Sequence, residues 1–406
     1  MTPKHKTEVL QLRRLRIAIF SEACAAGTGR NVMDLAIYLT QEGHDVHLLY
    51  SPWHTDDRFR AALSHFSGLG GRSQAIKIHH NVHPADLNAI WDVRHYLMTR
   101  GTFDIFHCHS TKAGFVGRLA SLGMKMPKIY TPHAFLTMSP VADCFSQQGA
   151  HVVERSLAMA TDVFICVSEE EMDHARIMGI ASHKLRLVPN GMPLADAHEP
   201  KLLRSTVRKE LGLSDGDICI GSVGRLVRQK AYHVAVEAFA RAASQLDERV
   251  KMIVVGDGPL LHKLKTKARK VDAQGRVRFV GEMPGLRTMS AFDIFAVSSY
   301  YEGHPYSYIE ALALGLPIVT TAVGGSKMSV HDGVNGFVCP VGDVDAMANS
   351  FVKLVQSPLL REQMSRASSG IANDFTLDNM LRRTRHVYEG TLQTRAYLSQ
   401  VTSAGN

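Results

Sequence analysis

The chain has 406 residues, 45 % hydrophobic and 21 % charged, with 46 Lys+Arg against 38 Asp+Glu for a net charge of +8. That length predicts two domains of roughly 150 to 200 residues rather than one core, and the composition is that of an ordinary soluble globular protein, with disorder expected only at the ends. Residues 1–200 hold 20 Lys+Arg against 19 Asp+Glu, leaving 26 against 19 for the remainder, so the basic excess lies in the second half and favours anionic ligands there. No aromatic-rich basic motif or helix-turn-helix pattern accompanies it, so nucleic acid is not an expected partner.

The first elements in chain order are the short apolar runs LRIAIFS, DVHLLYS, FDIFHCHS, KIYTPH, DVFICVS and KLRLVPN, read as strands, with helical segments such as GRNVMDLAIYLTQEG between them. Six cysteines (Cys24, Cys108, Cys144, Cys166, Cys219, Cys339) are scattered without a CxxC pair and mostly sit in such runs. They read as reduced, buried thiols of a cytoplasmic protein. No apolar run approaches 18 residues and the start MTPKHKTEVLQLRRLR has no apolar core, so neither a spanning helix nor a signal peptide is expected. That basic start could rest on an anionic membrane surface or simply be solvated.

After Asn190 the pattern breaks into a polar stretch with two prolines and a short helix, then restarts with ICIGSVG, KMIVVGDGP, VRFVGE, DIFAVSSY and PIVTTAVGG. This predicts an N-terminal domain over 1–195, a linker over 196–214 and a C-terminal domain over 215–384. Two amphipathic helices, about Leu359–Ile371 and Thr376–Leu398, end the chain, and the last of these (about 385–400) is expected to pack back on the first domain. Two doubly wound α/β domains would bind ligands outside the carboxyl ends of their strands. A dinucleotide enzyme is disfavoured: the loop after the first strand, SEACAAGTGRN, lacks the third glycine, and the second strand ends in Tyr50 and Ser51 without an acid for a ribose.

The stretch YEGHPYSYIE (301–310) carries two carboxylates, Glu302 and Glu310. Paired carboxylates suggest the acid and base of glycoside hydrolysis. However, Pro305 marks a helix start, which puts Glu302 in the loop before the helix and Glu310 within it. The two can then address different parts of one elongated ligand, and the free N–H groups of the helix start suit a phosphate or diphosphate.

This block resembles the E-x7-E signature of the retaining family 4 glycosyltransferases, which have the GT-B fold. The segments GSVGRLVRQKAYHVAVEAF, VVGDGP, VTTAVGG, DGVNGFVCPVGD, GTGRNVMDLA, FDIFHCHSTKAGFVGRLA, YTPHAF and LVPNG resemble the family in the same order, from about Leu15 to the last helix. The first-half pieces are most similar to enzymes of bacterial exopolysaccharide, capsule or lipopolysaccharide synthesis. The resemblance implies two facing Rossmann-like domains with a cleft between them. It also implies a metal-independent hexosyltransferase that needs no cofactor. The donor would be a nucleotide-diphosphate sugar and the acceptor lipid-linked or saccharide, with the enzyme peripheral on the cytoplasmic face of the inner membrane.

By the same resemblance Glu310 holds the ribose hydroxyls and Glu302 the transferred sugar. Arg225 and Lys230 clamp the diphosphate, on which negative charge builds as the glycosidic bond breaks. Gly224, Gly256 and Gly258 line the donor turns. Gly303, His304, Pro305 and Tyr306 present backbone to the donor, and His133 lies near sugar and acceptor. Gly27, Thr28 and Gly29 form a small-residue loop at the cleft mouth, where backbone can approach the donor phosphates or the acceptor, and His107, His109, Ser110 and Lys112 make an acceptor-side group. Alternate faces of a strand keep the HCH triplet from converging on one metal ion. Three positions depart from the family: Ala231 stands where a glycine usually follows the lysine, His304 where a large apolar residue is common, and SKMSV follows AVGG where many relatives have a proline and an acid. His304 either alters sugar choice or packs, with packing favoured. Alternatives on the same fold are a sugar-nucleotide epimerase or a phosphorylase; a noncatalytic nucleotide-sugar-binding scaffold is the alternative from another class.

Overall fold

The computed structural model describes residues 13–79, 83–141, 144–271 and 275–404. The basic start through Leu12 lies outside them, as does the side chain of Cys144. Thirteen described strands form two sheets. The first contains β1 (Arg16–Ser21), β2 (Asp45–Tyr50), β3 (Arg72–Ala75), β4 (Ile105–His109), β5 (Lys128–Thr131), β6 (Val163–Cys166) and β7 (Leu185–Leu187). The second contains β8 (Ile218–Val223), β9 (Val250–Val255), β10 (Val277–Gly281), β11 (Ile294–Val297), β12 (Ile318–Thr321) and β13 (Gly336–Cys339).

The spatial orders are β3-β2-β1-β4-β5-β6-β7 and β10-β9-β8-β11-β12-β13. Chain order therefore reverses once in each sheet, between β1 and β4 and between β8 and β11. Such a reversal splays the following loops apart and opens a crevice at the carboxyl ends of the two strands. The described pairings are parallel, with Ile17 opposite both Val46 and Ile105, and Ile220 opposite both Met252 and Ile294. Strands of this kind are covered on both faces, which is why the central ones read as continuous apolar runs.

By compactness the chain divides into Met1–Tyr130 with Leu392–Asn406, and Thr131–Thr391. In the second unit, one face of the β8–β13 sheet buries Phe239, Met252, Phe351 and Leu354, and the other buries Phe292, Phe295, Tyr308 and Ile309. Each such ring or aliphatic side chain contributes about 1.5–3 kcal/mol when fully buried. Gly221 permits this packing, because a Cβ there would lie 2.0 Å from the Phe292 ring.

The polar stretch after Asn190 is helical over His198–Leu202 and Arg204–Glu210. Arg208 fixes it by donating to the carbonyls of Ala291, Ser214 and Asp217 and to Asp293 Oδ2, while Arg204 pairs with Asp293 Oδ1 at 2.6 Å. Val207, Leu211 and Leu213 are buried beside them. The final helices run Pro358–Ile371 and Leu377–Ala404. Among the described residues no helix is long and apolar enough to cross a membrane.

Two strands are absent from the sequence expectation. β3 (RSQA) is an edge strand with three of its four residues exposed, so it carries no apolar signal. β13 begins at Gly336, where a Cβ would sit 1.9 Å from Ile318 O; close approach of backbones, rather than side-chain pattern, specifies it.

Candidate functional site: a carboxylate at each sheet reversal

In the second unit β8 runs into Gly224 and Arg225, and the adjacent β11 runs into Ser298–Glu302. Lys230 Nζ lies 2.6 Å from Glu302 Oε1, and Ser299 Oγ donates to the same oxygen at 2.6 Å. Gln229 Nε2 donates to Tyr301 O at 3.0 Å, so the loop carrying the cation is stitched to the loop carrying the carboxylate. Ser298 Oγ adds bonds to the carbonyls of Lys230 and Ala231. Glu302 is 5 % exposed, whereas Arg225 is exposed.

Ala231 adopts φ 45°, ψ 36° and is fully buried. A side chain in that left-handed region costs about 1–2 kcal/mol, which explains why a glycine is the easier residue there. Here the turn closes regardless, and the helix Tyr232–Ala243 follows at once.

The glycines of the donor turns interlock through backbone. A Cβ on Gly256 would meet Gly224 O at 2.1 Å, and one on Gly258 would meet Leu226 O at 2.6 Å. Leu226 N donates to Asp257 O at 2.8 Å, and Gly256 N to Gly281 O at 2.7 Å.

Pro305 opens the helix Tyr306–Leu314, whose start has no side-chain cap. Glu302 precedes it. Glu310, within it, has a carboxylate oxygen 4.0 Å from the Cβ position of Gly285, which in turn lies 3.4 Å from Val223. The two glutamates thus have different neighbours: Glu302 faces Lys230, and Glu310 faces Gly285, which opens the helix Gly285–Met289 after β10. Tyr306 is buried with its hydroxyl toward Met380 Sδ at 3.9 Å.

His304 is 3 % exposed and fully engaged. Asn190 N donates to its Nδ1 at 3.1 Å, which fixes the proton on Nε2, and Nε2 then donates to Ser329 Oγ at 3.0 Å. Its ring packs 5.0 Å from Phe375. Burial pushes its pKa down to about 3, so the imidazole is neutral.

His133 and Ala134 have φ 58° and 92°. Gly303 packs on this turn, where its Cβ would lie 3.0 Å from His133 C and 3.1 Å from Ala134 N. Desolvation lowers the His133 pKa to about 3, although part of the residue remains accessible. Beneath it, Glu171 is 0 % exposed and accepts from Ala134 N and Val167 N, both at 2.7 Å. Burial raises the Glu171 pKa to about 7 despite those two bonds.

In the first unit Gly27, Thr28 and Gly29 lie in the opening turn of the helix Ala26–Gln41 rather than in a loop. Asp56 Oδ2 accepts from Ala26 N at 2.8 Å, and a Cβ on Gly29 would meet Cys24 C at 2.6 Å, so the helix begins hard against the end of β1. At the reversal between β1 and β4, Glu22 accepts from Ser110 Oγ and from Ala113 N (3.1 Å), capping the helix Thr111–Ala120. His107 and His109 are buried with ring centroids 4.0 Å apart, and Lys112 Nζ pairs with Asp86 Oδ1 at 3.0 Å.

In the two Asp-x-Asp triplets that the sequence reading passed over (215–217 and 343–345), three of the four acids have structural partners. Asp217 accepts from Ser214 N, Asp343 caps the helix Val344–Gln356, and Asp345 pairs with Arg241. Among the described residues no group of three or more His, Cys, Asp or Glu could hold a metal ion. Sequence reasoning also missed Glu22, Gln229, Ser299, Glu170 and Glu171. Only Glu171 left a signal, the S-x-x-E capping pattern of Ser168–Glu171, whose Glu171 N donates to Ser168 Oγ at 3.1 Å.

Two doubly wound parallel sheets of seven and six strands are the architecture of the GT-B class of α/β proteins. The chain resembles the Anabaena protein Alr3699/HepE, solved with UDP and glucose, at TM-score 0.78 and 20 % identity, over 93 % of this chain and all of that one. It matches WaaG, a glycosyltransferase involved in lipopolysaccharide biosynthesis, at TM-score 0.72 and 16 % identity, over 92 % of this chain and all of that one.

The "Glycosyl transferases group 1" family model matches residues 204–369 and the "Glycosyl transferase 4-like domain" model residues 26–191. The chain belongs to these glycosyltransferases. It is 25 % identical over 305 residues to the Escherichia coli UDP-Gal:alpha-D-GlcNAc-diphosphoundecaprenol alpha-1,3-galactosyltransferase, covering 72 % of this chain and 76 % of that one. It is 28 % identical over 313 residues to the D-inositol 3-phosphate glycosyltransferase of Kribbella flavida, covering 73 % of each.

Proposed function

We propose that the protein transfers a hexose, with retention and without a metal, from a nucleotide-diphosphate sugar to a lipid-linked or saccharide acceptor in surface polysaccharide synthesis. The observation that carries this reading is the Lys230–Glu302 pair at the β8/β11 reversal, beside the uncapped start of the helix Tyr306–Leu314. Cation, carboxylate and helix-start N–H groups there suit the three parts of such a donor: phosphates, sugar hydroxyls and developing charge.

In the proposed reaction the anomeric C–O bond to phosphate breaks and its electron pair stays on the diphosphate, where Arg225 and Lys230 stabilise it. The acceptor hydroxyl bonds the same face of the sugar, and its proton passes to a phosphate oxygen. Glu302 grips sugar hydroxyls and Glu310 the ribose. His133 would contact the sugar as a neutral hydrogen-bonding group.

The undecaprenol-linked acceptor named for the E. coli relative supports a lipid-linked acceptor, and the inositol phosphate enzymes support a soluble one. A membrane-side acceptor is further supported by the helix Asp86–Thr99. Leu87 (72 % exposed), Trp91 (67 %) and Met98 (65 %) fall within about 40° of one another on it. The basic residue Arg94 lies on that helix, bonded to the carbonyls of Ala120 and Leu122, and Arg100 stands at its C-terminal end. A thermal-shift panel of nucleotide sugars tests the donor reading, since a specific ligand raises apparent stability by mass action. Incubation of the best donor with membrane lipid extract or with inositol phosphate then separates the acceptors. Sugar conversion without any acceptor would instead identify an epimerase, and binding without turnover a scaffold.

A further inference from the structure

Glu170 and Glu171 are adjacent in the first turn of the helix Glu169–Ile177. Their carboxylates go to different places. Glu171 accepts from Ala134 N through Oε1 and from Val167 N through Oε2, both at 2.7 Å. Glu170 accepts from Gly325 N through Oε2 at 3.0 Å and from Lys327 N through Oε1 at 3.3 Å.

Both turns held in this way press on Gly303. On one side is the His133–Ala134 turn, already described. On the other, a Cβ on Gly324 would lie 2.1 Å from Glu302 O and 2.6 Å from Gly303 O, and one on Gly325 would lie 2.5 Å from the His304 ring. The Glu302–His304 turn is therefore sandwiched between two backbone segments, each fixed by one of the neighbouring glutamates. The His133–Ala134 turn needs such support, because consecutive left-handed non-glycine residues persist only when their surroundings hold them. The second turn is fixed from another segment as well: it passes through Gly325 at φ 77°, and Glu170 brings a carboxylate to its Gly325 and Lys327 amides.

We propose that Glu170 and Glu171 form a two-armed clamp of positioning residues that sets the sugar end of the donor site, leaving the nucleotide end to Arg225, Lys230 and Glu310. The clamp rests on the donor reading above. Each carboxylate spends both oxygens on backbone N–H groups, and a glutamine of the same size has only one acceptor and turns an NH2 against the other donor. Glu170→Gln and Glu171→Gln are thus volume-conserving tests.

Calorimetry with UDP, GDP, UDP-glucose, UDP-galactose and GDP-mannose is compared between the wild type and each variant, alongside hydrogen exchange at Ala134, Val167, Gly325 and Lys327. The expected result is a free-nucleotide affinity within about twofold of wild type. The extra affinity contributed by the sugar, and the turnover, should fall at least about tenfold, with faster exchange at the two amides of the mutated arm. Equal weakening of nucleotide and nucleotide sugar would show a general structural role and overturn the clamp. Faster exchange with undiminished sugar-dependent affinity and turnover would overturn it as well. A wild-type protein that binds none of the five probes refutes the donor reading itself, a failure seen before any variant is made.

Discussion

Lys230 Nζ and Glu302 Oε1 are 2.6 Å apart, so the cation assigned to the diphosphate and the carboxylate assigned to the sugar neutralise each other. On the proposed reading a donor parts them: Lys230 exchanges the carboxylate for the diphosphate, and Glu302 exchanges its ionic contact for hydrogen bonds from sugar hydroxyls. The pair keeps a nearly buried carboxylate compensated while the site is empty.

Lys230→Ala should lower turnover by at least about a hundredfold, the scale seen when one preorganised stabilising group is removed. It should also destabilise the fold by about 1–3 kcal/mol, because Glu302 loses its partner. The Lys230→Met/Glu302→Gln double variant should recover stability in urea melts without recovering activity. Near-wild-type turnover in folded Lys230→Ala would remove the diphosphate clamp.

For Glu310→Ala, titration calorimetry with the preferred free nucleotide should show affinity weakened by about tenfold or more, the scale of one charge-assisted hydrogen bond. Unchanged affinity would remove the ribose role. Because Glu302 and Glu310 have separate neighbours, Glu302→Gln should leave free-nucleotide affinity close to wild type.

Acid should destabilise the protein. His133 and His304 have folded pKa values near 3 against an ordinary 6.5, so unfolding takes up protons and stability falls as pH drops below about 6.5. Glu171 acts with the opposite sign: raised from 4.5 to about 7, it contributes stability at low pH that is lost as pH rises through 7. Two histidines outweigh one glutamate, and Glu171→Gln should steepen the loss between pH 6.5 and 5. Urea melts at several pH values check both statements; a variant with a shallower slope than wild type would contradict the assignment.

The legible parts of the fold were those written in local pattern. Apolar runs gave the central strands, and Pro305 marked the helix start that separates Glu302 from Glu310. What could not be read was set by contacts between distant segments. Glu22 meets Ser110 and Ala113, Glu171 meets Ala134, and Glu170 meets Gly325; an isolated acid after a strand or in a first helical turn looks the same whether solvated or buried. His304 was legible as an oddity, but its engagement with Asn190 and Ser329 was not.

Gly256→Ala should be among the most damaging single-methyl changes in the chain. The residue sits at φ 129°, and its new Cβ would meet the Gly224 carbonyl at 2.1 Å. A loss of about 3 kcal/mol or more is expected in denaturant melts. A loss under about 1 kcal/mol would show that the two turns can slide apart.

Flotation with anionic vesicles at low salt should carry the protein upward, and Trp91→Glu should abolish this. In a Trp53→Phe background, Trp91 is the sole tryptophan, and its emission should shift to the blue on binding. Unshifted emission with vesicles, joined by a concentration-dependent dimer in sedimentation, would assign the exposed stripe to a second copy of the chain.

Glu22 gives the two reversals different capacities. At β1/β4 the helix Thr111–Ala120 starts against a carboxylate supplied by the chain itself, so the place where a phosphate would dock is already occupied by an internal anion. At β8/β11 the acid ahead of the helix Tyr306–Leu314, Glu302, is turned instead to Lys230 and Ser299. On the proposed donor reading, calorimetry should therefore return one nucleotide per chain, bound at the second sheet.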